Sequence, residues 1–424
     1  MTQLEAARKG RITPEMEIVA EDEEVAIDDL RRWVETGRVV IPANPNHEGL
    51  HPKGIGSPLK VKVNANIGTS PQNTNLQKEL EKIRLITNLQ ADALMDLSIA
   101  GNLDHIRREI IARTPLMVGT VPLYQVLTEF SEDPASISPR MILEIIEKQG
   151  QQGVDFITVH CGLKKEALPL VENRIMGIVS RGGSFLARWM MERNEENPLF
   201  THFDELCEIA RAADMTLSLG DGLRPGAVHD ATDKAQLHEL KTLGDLVLRA
   251  RENGVQVMVE GPGHVPLQDI PRNMELQKKW CHDAPFYVLG PLPIDSAPGY
   301  DHIAGAIGGA LAAFHGASFL CYVTPAEHLR LPSLEDVREG VIAAKIAARS
   351  ADVALKLPSA LRHEKEFSLR RKAFDWKGMY ALAVDPVKPR IYRKKSTHVN
   401  EEECSMCGEF CALKMLDTAK GHNE

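Results

Sequence analysis

From about residue 60 onward, short and nearly continuous apolar runs alternate with stretches whose apolar positions recur at helical spacing. The runs are ADALMDL (91–97), LMVGT (116–120), VDFITVH (154–160), IMGIVS (175–180), MTLSLG (215–220), VQVMVEG (255–261), FYVLG (286–290) and FLCYVT (319–324). Runs of this length without polar alternation predict parallel strands buried on both faces. Helix signals follow most of them. Asn102 opens a segment to Arg113, Ser138-Pro139 opens one that stops at Gly150, and Thr201 with Asp204 and Ser333 with Asp336 look like further starts. Eight strand–helix units predict an α/β fold of the (β/α)₈ barrel type rather than a doubly wound sheet.

The flanks differ from this core. Thr2 and Glu5 have capping-box spacing and Thr13-Pro14 places proline in a first helical turn, so residues 1–58 are expected to form a small helical segment. The stretch IPANPNHEGLHPKGIGSP separates it from a catalytic barrel over 59–357. Residues 358–424 begin with a charged helical stretch, RHEKEFSLRRKAFDWKGMYALAV. A linker-like segment, DPVKPRIYRKKSTHVNEEE, then leads to a cysteine-bearing tail.

Composition narrows the classes. A net charge of −9 argues against a broad nucleic-acid surface, although local Lys and Arg can still hold a phosphorylated ligand. No apolar run is long enough to span a membrane, and the polar start MTQLEAARKG does not read as a signal peptide. Four of the seven cysteines, Cys161, Cys207, Cys281 and Cys321, stand singly in apolar surroundings and read as buried free thiols. The other three cluster near the end. An odd count with that clustering argues against a disulfide framework and predicts a cytoplasmic protein.

Barrel enzymes act where their strands end, and the unusual residues of this chain gather there. After the first run comes Met95-Asp96, and after the second Tyr124. His160 ends the third and Ser180-Arg181-Gly182-Gly183 the fourth. The fifth is followed by Asp221-Gly222-Leu223-Arg224, the sixth carries Glu260, the seventh holds Tyr287, and His328 follows the eighth. Glycine-rich turns bring bare N–H groups close to phosphate oxygens, although the same glycines also serve to reverse the chain. Asp221, Glu260 and His160 are the candidate proton carriers. His264 and His328 could bind a divalent metal if the fold brings them together, which their spacing alone does not require. In the tail, Cys404-x₂-Cys407-x₃-Cys411 supplies three thiolates. These suit a 4Fe-4S cluster with one iron left open for S-adenosylmethionine. A structural zinc hook completed by His398 or His422 is the alternative.

With those residues assembled, the chain resembles the phosphomethylpyrimidine synthase family of thiamine biosynthesis. The likeness rests on NANIGTS, MDLS, GTVPLYQ, GVDFITVH, SRGGS, LSLGDGLRPG, VQVMVEGPGHVP, APGYDH, CYVTPAEHL and CSMCG, spread from about Leu4 to Cys411. The resemblance implies a radical S-adenosylmethionine lyase acting on 5-aminoimidazole ribotide. It also implies a homodimer in which the tail reaches a partner's barrel, and an electron donor that the residues do not name. Asn66, Met95, Tyr124, His160, Ser180, Arg181, Gly182, Asp221, Gly222, Leu223, Arg224, Glu260 and Tyr287 would contact the ribotide. His264 and His328 would hold zinc or iron, and Cys404, Cys407 and Cys411 the cluster.

Two departures from the family pattern stand out. Three residues rather than four separate Cys407 from Cys411. Ser98-Ile99-Ala100-Gly101 replaces a Ser-Thr-Gly-Gly motif, and Val126 replaces an alanine. Lost hydroxyl and added bulk beside the expected substrate site favour the family's 5-hydroxybenzimidazole synthase branch, which makes a cobamide lower ligand from the same ribotide. Phosphomethylpyrimidine synthase activity is the alternative. A zinc-stapled, non-catalytic ribotide-binding barrel is the alternative of another class.

Overall fold

The computed structural model describes residues 1–130, 134–395, 406–407 and 410–415, in two compact units, Met1–Asp352 and Val353–Glu424. The first opens with α1 (Gln3–Arg8), α2 (Pro14–Glu23) and α3 (Ile27–Glu35). Thr2 and Glu5 form the expected reciprocal capping box, and Thr13 caps a helix that begins at Pro14. The barrel then runs β1 (Lys62–Ile67), α4 (Leu76–Asn88), β2 (Ala93–Asp96), α5 (Leu103–Ile111), β3 (Met117–Thr120), α6 (Pro122–Phe130) and α7 (Pro139–Gln151). It continues β4 (Phe156–Val159), α8 (Arg181–Arg193), α9 (Pro198–Thr201), α10 (Phe203–Ala212), β5 (Thr216–Leu219), α11 (Lys234–Glu252), β6 (Val257–Gly261) and α12 (Ile270–Trp280). It ends β7 (Phe286–Leu289), α13 (Asp301–Phe314), β8 (Phe319–Cys321) and α14 (Leu334–Ala354).

The eight strands pair in parallel in chain order, and β8 returns to β1, closing the barrel. Each strand is buried over nearly all its length, which is why the runs lack polar alternation.

Two sequence expectations fail locally. IMGIVS (175–180) is loop, held by Asp230, whose carboxylate accepts from Ile175 N and Met176 N at 3.0 Å each. Composition does not separate an apolar loop from a strand, and here Ile175 and Met176 are exposed. The missing strand is β1, KVNANI, whose two inward asparagines disguised it. Thr201 does not start a helix either. It ends α9, its hydroxyl donating to the Asn197 and Pro198 carbonyls, and α10 begins beyond His202. Ser333 and Asp336 do cap each other as expected.

The N-terminal segment seals the barrel floor, where the strands begin. Thr2 Oγ1 donates to Gly254 O (2.7 Å), and Lys62 Nζ lies 3.0 Å from Glu23 Oε1. The most deeply buried joint is Asp155, just before β4. Its carboxylate accepts from Asn44 N (3.0 Å) and Val118 N (2.7 Å) and pairs with His47 Nδ1 (2.7 Å), while His47 Nε2 faces Thr114 O (3.1 Å). Burial depresses the His47 pKa, but the Asp155 carboxylate and the Thr114 carbonyl outweigh it and raise the pKa above the ordinary value.

In the second unit, α15 (Pro358–Lys372), α16 (Trp376–Leu382) and α17 (Lys388–Lys394) are helical, so the segment expected to be a linker contains a helix. Arg393 stacks on Trp376, 3.7 Å from its ring centre. No helix among the described residues is long and apolar enough to cross a membrane.

His47→Leu should leave a buried carboxylate without its cation and destabilise the first unit by about 3 kcal/mol in denaturant unfolding. A raised histidine pKa contributes stability at low pH and loses it as pH rises through the folded value. The gap between wild type and variant should therefore narrow on going from pH 6 to pH 9.

Candidate active site

The strand ends converge on a cavity of ≈ 110 Å³ lined by Asn66, Met95, Tyr124, His160, Asp221, Arg224, Glu260 and Tyr287, with Cys321 at its edge. Ladder register explains part of this. Asn66 is the neighbour of Met95 across β1 and β2, and Glu260 of Tyr287 across β6 and β7. Inward positions of neighbouring strands therefore stand side by side beneath the mouth.

Glu260 projects from β6, and its Oε1 accepts from Thr158 Oγ1 (2.6 Å) and Ser218 Oγ (2.7 Å). These two hydroxyls interrupt the apolar runs of β4 and β5, and that interruption is the signal by which they could have been found. Arg224 Nη1 donates to Asp221 Oδ1 at 3.1 Å. Burial pushes the Asp221 pKa up against the opposing charge of Arg224. Burial and then the charge of Asp221 push Glu260 up too, so the pair readily holds a proton near neutral pH.

His160 lies just past β4. Ser180 caps α8, its Oγ accepting from Gly183 N (3.1 Å) and lying 3.0 Å from His160 Nε2. The Ser180 hydroxyl thus links the first turn of α8 to the imidazole. Nδ1 is buried and has no partner among the described residues. Burial, then Arg224, lowers the His160 pKa to about 3, so the ring is neutral. A Cβ on Gly182 would stand 2.5 Å from Nδ1, and one on Gly183 would stand 2.4 Å from Gly222 O. These glycines therefore admit the close approach of α8 to the imidazole and to the β5 loop.

Arg181 lies outside the inner cavity. Its guanidinium sits 4.5 Å from the ring centre of Tyr124, and it lines an outer cavity of ≈ 320 Å³ with Asn66, Leu97, Lys82 and His328. Tyr124 belongs to the first turn of α6 rather than to a strand end. Gly222 packs against Gly183, and Leu223 is fully buried beneath the loop.

Cys321 is buried and free, but it has polar company rather than the expected apolar surroundings. Asn66 Nδ2 donates to its Sγ at 3.3 Å, while Asn64 Nδ2 donates to Tyr287 Oη at 2.8 Å. Cys161, Cys207 and Cys281 are buried free thiols as expected.

The fold brings His264 and His328 together, with ring centres 5.5 Å apart. His264 Nδ1 pairs with Asp295 Oδ1 (2.7 Å), and Asp301 Oδ2 lies 3.5 Å from His328 Nδ1. A carboxylate that holds one ring nitrogen, as Asp295 holds that of His264, leaves the other free for a ligand, a pattern common around metal-binding histidines. Among the described residues no third His, Cys, Asp or Glu completes a metal-binding group with them. In the second unit Cys407 is exposed and Cys411 half-buried, both free, and the Cys411 carbonyl accepts from Lys414 N and Met415 N. Cys404 lies outside the described residues. Accessible thiols of this kind suit an iron–sulfur donor set, unlike the four buried ones.

A match to the family model for the Radical SAM ThiC family spans residues 2–418. The chain belongs to the Radical SAM ThiC family. Membership implies a 4Fe-4S cluster and S-adenosylmethionine, which displaces the zinc-hook reading. A relative from Moorella thermoacetica named phosphomethylpyrimidine synthase is 55% identical over 98% of each chain. Relatives of the same name from Thermoanaerobacter sp. (54% identical, 99% of each chain) and Carboxydothermus hydrogenoformans (52%, all of each chain) agree.

These relatives overturn the 5-hydroxybenzimidazole expectation, and the geometry explains why its motive was weak. Val126 is fully buried in the core of the first unit rather than facing the cavity. Ala100 meets Thr69 Oγ1 through its backbone carbonyl (2.6 Å). Ile99 lines only the outer cavity and a shallow hollow beside Tyr124 and Arg181. The three departures therefore do not converge on the inner cavity.

Gly182→Ala should displace the His160 ring. In the anaerobically reconstituted enzyme, deoxyadenosine formation is expected to fall roughly a hundredfold. Thermal unfolding should shift little, because the residue sits at the barrel mouth.

Proposed function

We propose that this chain is a phosphomethylpyrimidine synthase, converting 5-aminoimidazole ribotide to 4-amino-5-hydroxymethyl-2-methylpyrimidine phosphate. The observation that carries the reading is the inner cavity, lined together by Asp221, Glu260 and the buried neutral imidazole of His160, in a chain 55% identical to a relative of that name.

The bound cluster and S-adenosylmethionine supply the radical chemistry that removes hydrogen from the substrate. Cys404, Cys407 and Cys411 would hold the cluster. The remaining work falls to the barrel. Ser180, Arg181 and Gly182, at the N-terminus of the 13-residue α8, would grip the phosphate through charge and bare amides, supported by the helix dipole. The neutral imidazole of His160, which lines the cavity, would orient the substrate by a hydrogen bond. Asp221 and Glu260, raised by burial and sharing charge with Arg224, would take and return protons as the carbon skeleton rearranges. Asn66, Met95, Tyr124 and Tyr287 would pack the substrate's rings, with Gly222 and Leu223 shaping the turn that carries Asp221 and Arg224.

His264 and His328 would hold zinc or iron beside this cavity, a reading supported by their 5.5 Å ring separation and their carboxylate partners. A cytoplasmic setting fits the four buried free thiols. A homodimer fits the exposed Ile303, Ile307 and Phe314 of α13.

Anaerobic turnover with the ribotide and a reductant should give the phosphorylated aminopyrimidine, identified by chromatography and mass analysis. A product lacking that phosphate overturns the reading. Cys407→Ala and Cys411→Ala should each abolish deoxyadenosine formation while leaving the barrel folded. His264→Ala and His328→Ala should each lower the zinc or iron bound beyond the cluster by about one equivalent per chain, measured by elemental analysis.

A further inference from the structure

Behind the β5 loop lies a carboxyl group that the site described above does not use. Glu239, in the second turn of α11, is 2% exposed. Its Oε2 accepts from Leu223 N at 2.7 Å, and its Oε1 has no partner among the described residues. Burial with no cation paired to it is unusual for a glutamate. Glu239 lines a cavity of ≈ 20 Å³ together with Asp221, Arg224, Glu260, Gln236 and Asn273, which adjoins the inner cavity across Asp221 and Glu260. That volume suits one water, and the lining offers it several polar partners.

The loop itself is pinned from two sides. Glu239 holds the Leu223 N–H, while Arg174 Nη2 donates to Leu223 O at 2.8 Å. Arg174 in turn is bonded by Asp233, the cap of the helix that carries Glu239. One helix therefore fixes the turn that presents Asp221 and Arg224.

We propose that Glu239 is a positioning residue that carries a proton for the site, exchanging it with Asp221 and Glu260 through one water in the small cavity. The transfer is balanced within the protein. The O–H bond on Glu239 breaks, the water passes a proton on, an O–H bond forms on Asp221 or Glu260, and the charge moves to Glu239. Where the substrate lies relative to this relay rests on the reading under Proposed function. The titratable and charged groups facing Glu239 are Asp221 and Arg224 from the β5 loop, Glu260 from β6, the Cys161 thiol just past β4 and Arg174 from the loop before α8. Burial first, then the charge of Asp221, raises the Glu239 pKa to about 8, against the backbone bonds from Leu223 and Gly222. Glu239 is therefore a neutral acid at pH 7.

Three variants of the full-length reconstituted enzyme test this. Glu239→Gln keeps an acceptor for Leu223 N–H but carries no exchangeable acid proton. It should hold KM for 5-aminoimidazole ribotide within about threefold, lower kcat roughly a hundredfold and alter the pH profile of kcat. Glu239→Leu should in addition weaken ribotide binding by about tenfold in calorimetry. Glu239→Asp retains an acid proton and should keep more kcat than Glu239→Gln. Wild-type kcat and pH profile in Glu239→Gln would reduce Glu239 to a backbone acceptor and overturn the proposal. If Glu239→Gln does not fold, Glu239→Asp decides, since a kcat no better than that of Glu239→Leu overturns it. Infrared spectroscopy separates this from the functional reading. The wild-type spectrum at pH 7 should contain a protonated-carboxyl C=O band that Glu239→Gln or Glu239→Asp removes or shifts, and that fades as pH passes about 8. Its absence overturns the proposal even if the pyrimidine product is made. Its presence stands even if that product is not.

Discussion

Closing eight short parallel strands into a ring is the constraint on which everything else in the first unit depends. A closed parallel barrel buries both faces of every strand, so each polar group inside must find a partner within the barrel or face its mouth. Glu260 meets this requirement through Thr158 and Ser218, Tyr287 through Asn64, and Cys321 through Asn66. The same closure brings residues far apart in the chain within hydrogen-bond distance. Burial then raises the pKa values of Asp221, Glu239 and Glu260 and keeps His160 neutral, which gathers groups able to hold or release a proton at the barrel mouth.

The two ends of the barrel use buried charge differently. At the floor, His47 and Asp155 are fully paired, and Asp155 also accepts two backbone amides, so the pair closes the barrel and locks the N-terminal segment on. At the mouth, polar groups are left incompletely satisfied. His160 Nδ1 and Glu239 Oε1 lack partners, and Asp221 shares Arg224 with its surroundings. Incomplete satisfaction destabilises a fold and prepares a site to receive a ligand, and the floor's saturated contacts offset it.

The glycine-rich turn before α8 and the Asp-Gly-Leu-Arg turn after β5 work as one unit. Gly182 and Gly183 allow α8 to press against His160 and Gly222, while Arg174 and Glu239 hold Leu223 from opposite sides. The apolar segment 175–180, which has a strand's composition, leads into this clamp as a loop whose first residues, Ile175 and Met176, stay exposed.

Alternating apolar runs and capped helices were enough to determine the barrel, because burial on both faces leaves a mark in composition that no tertiary contact can erase. The strand-end position of His160, Asp221, Glu260 and Tyr287 was legible for the same reason, as was the cysteine trio, whose chemistry resides in its spacing. Sequence misassigned segment 175–180 and missed β1, since an apolar loop and a strand with inward asparagines each imitate the other. It also misjudged the effect of Ala100 and Val126, whose direction depends on helix and loop packing rather than on adjacency in the chain. Only the closed structure decided that His264 and His328 meet, that Cys321 keeps polar company, and that Glu239 sits behind the site. Those are facts of distance between residues tens to hundreds of positions apart, and it is barrel closure that sets such distances.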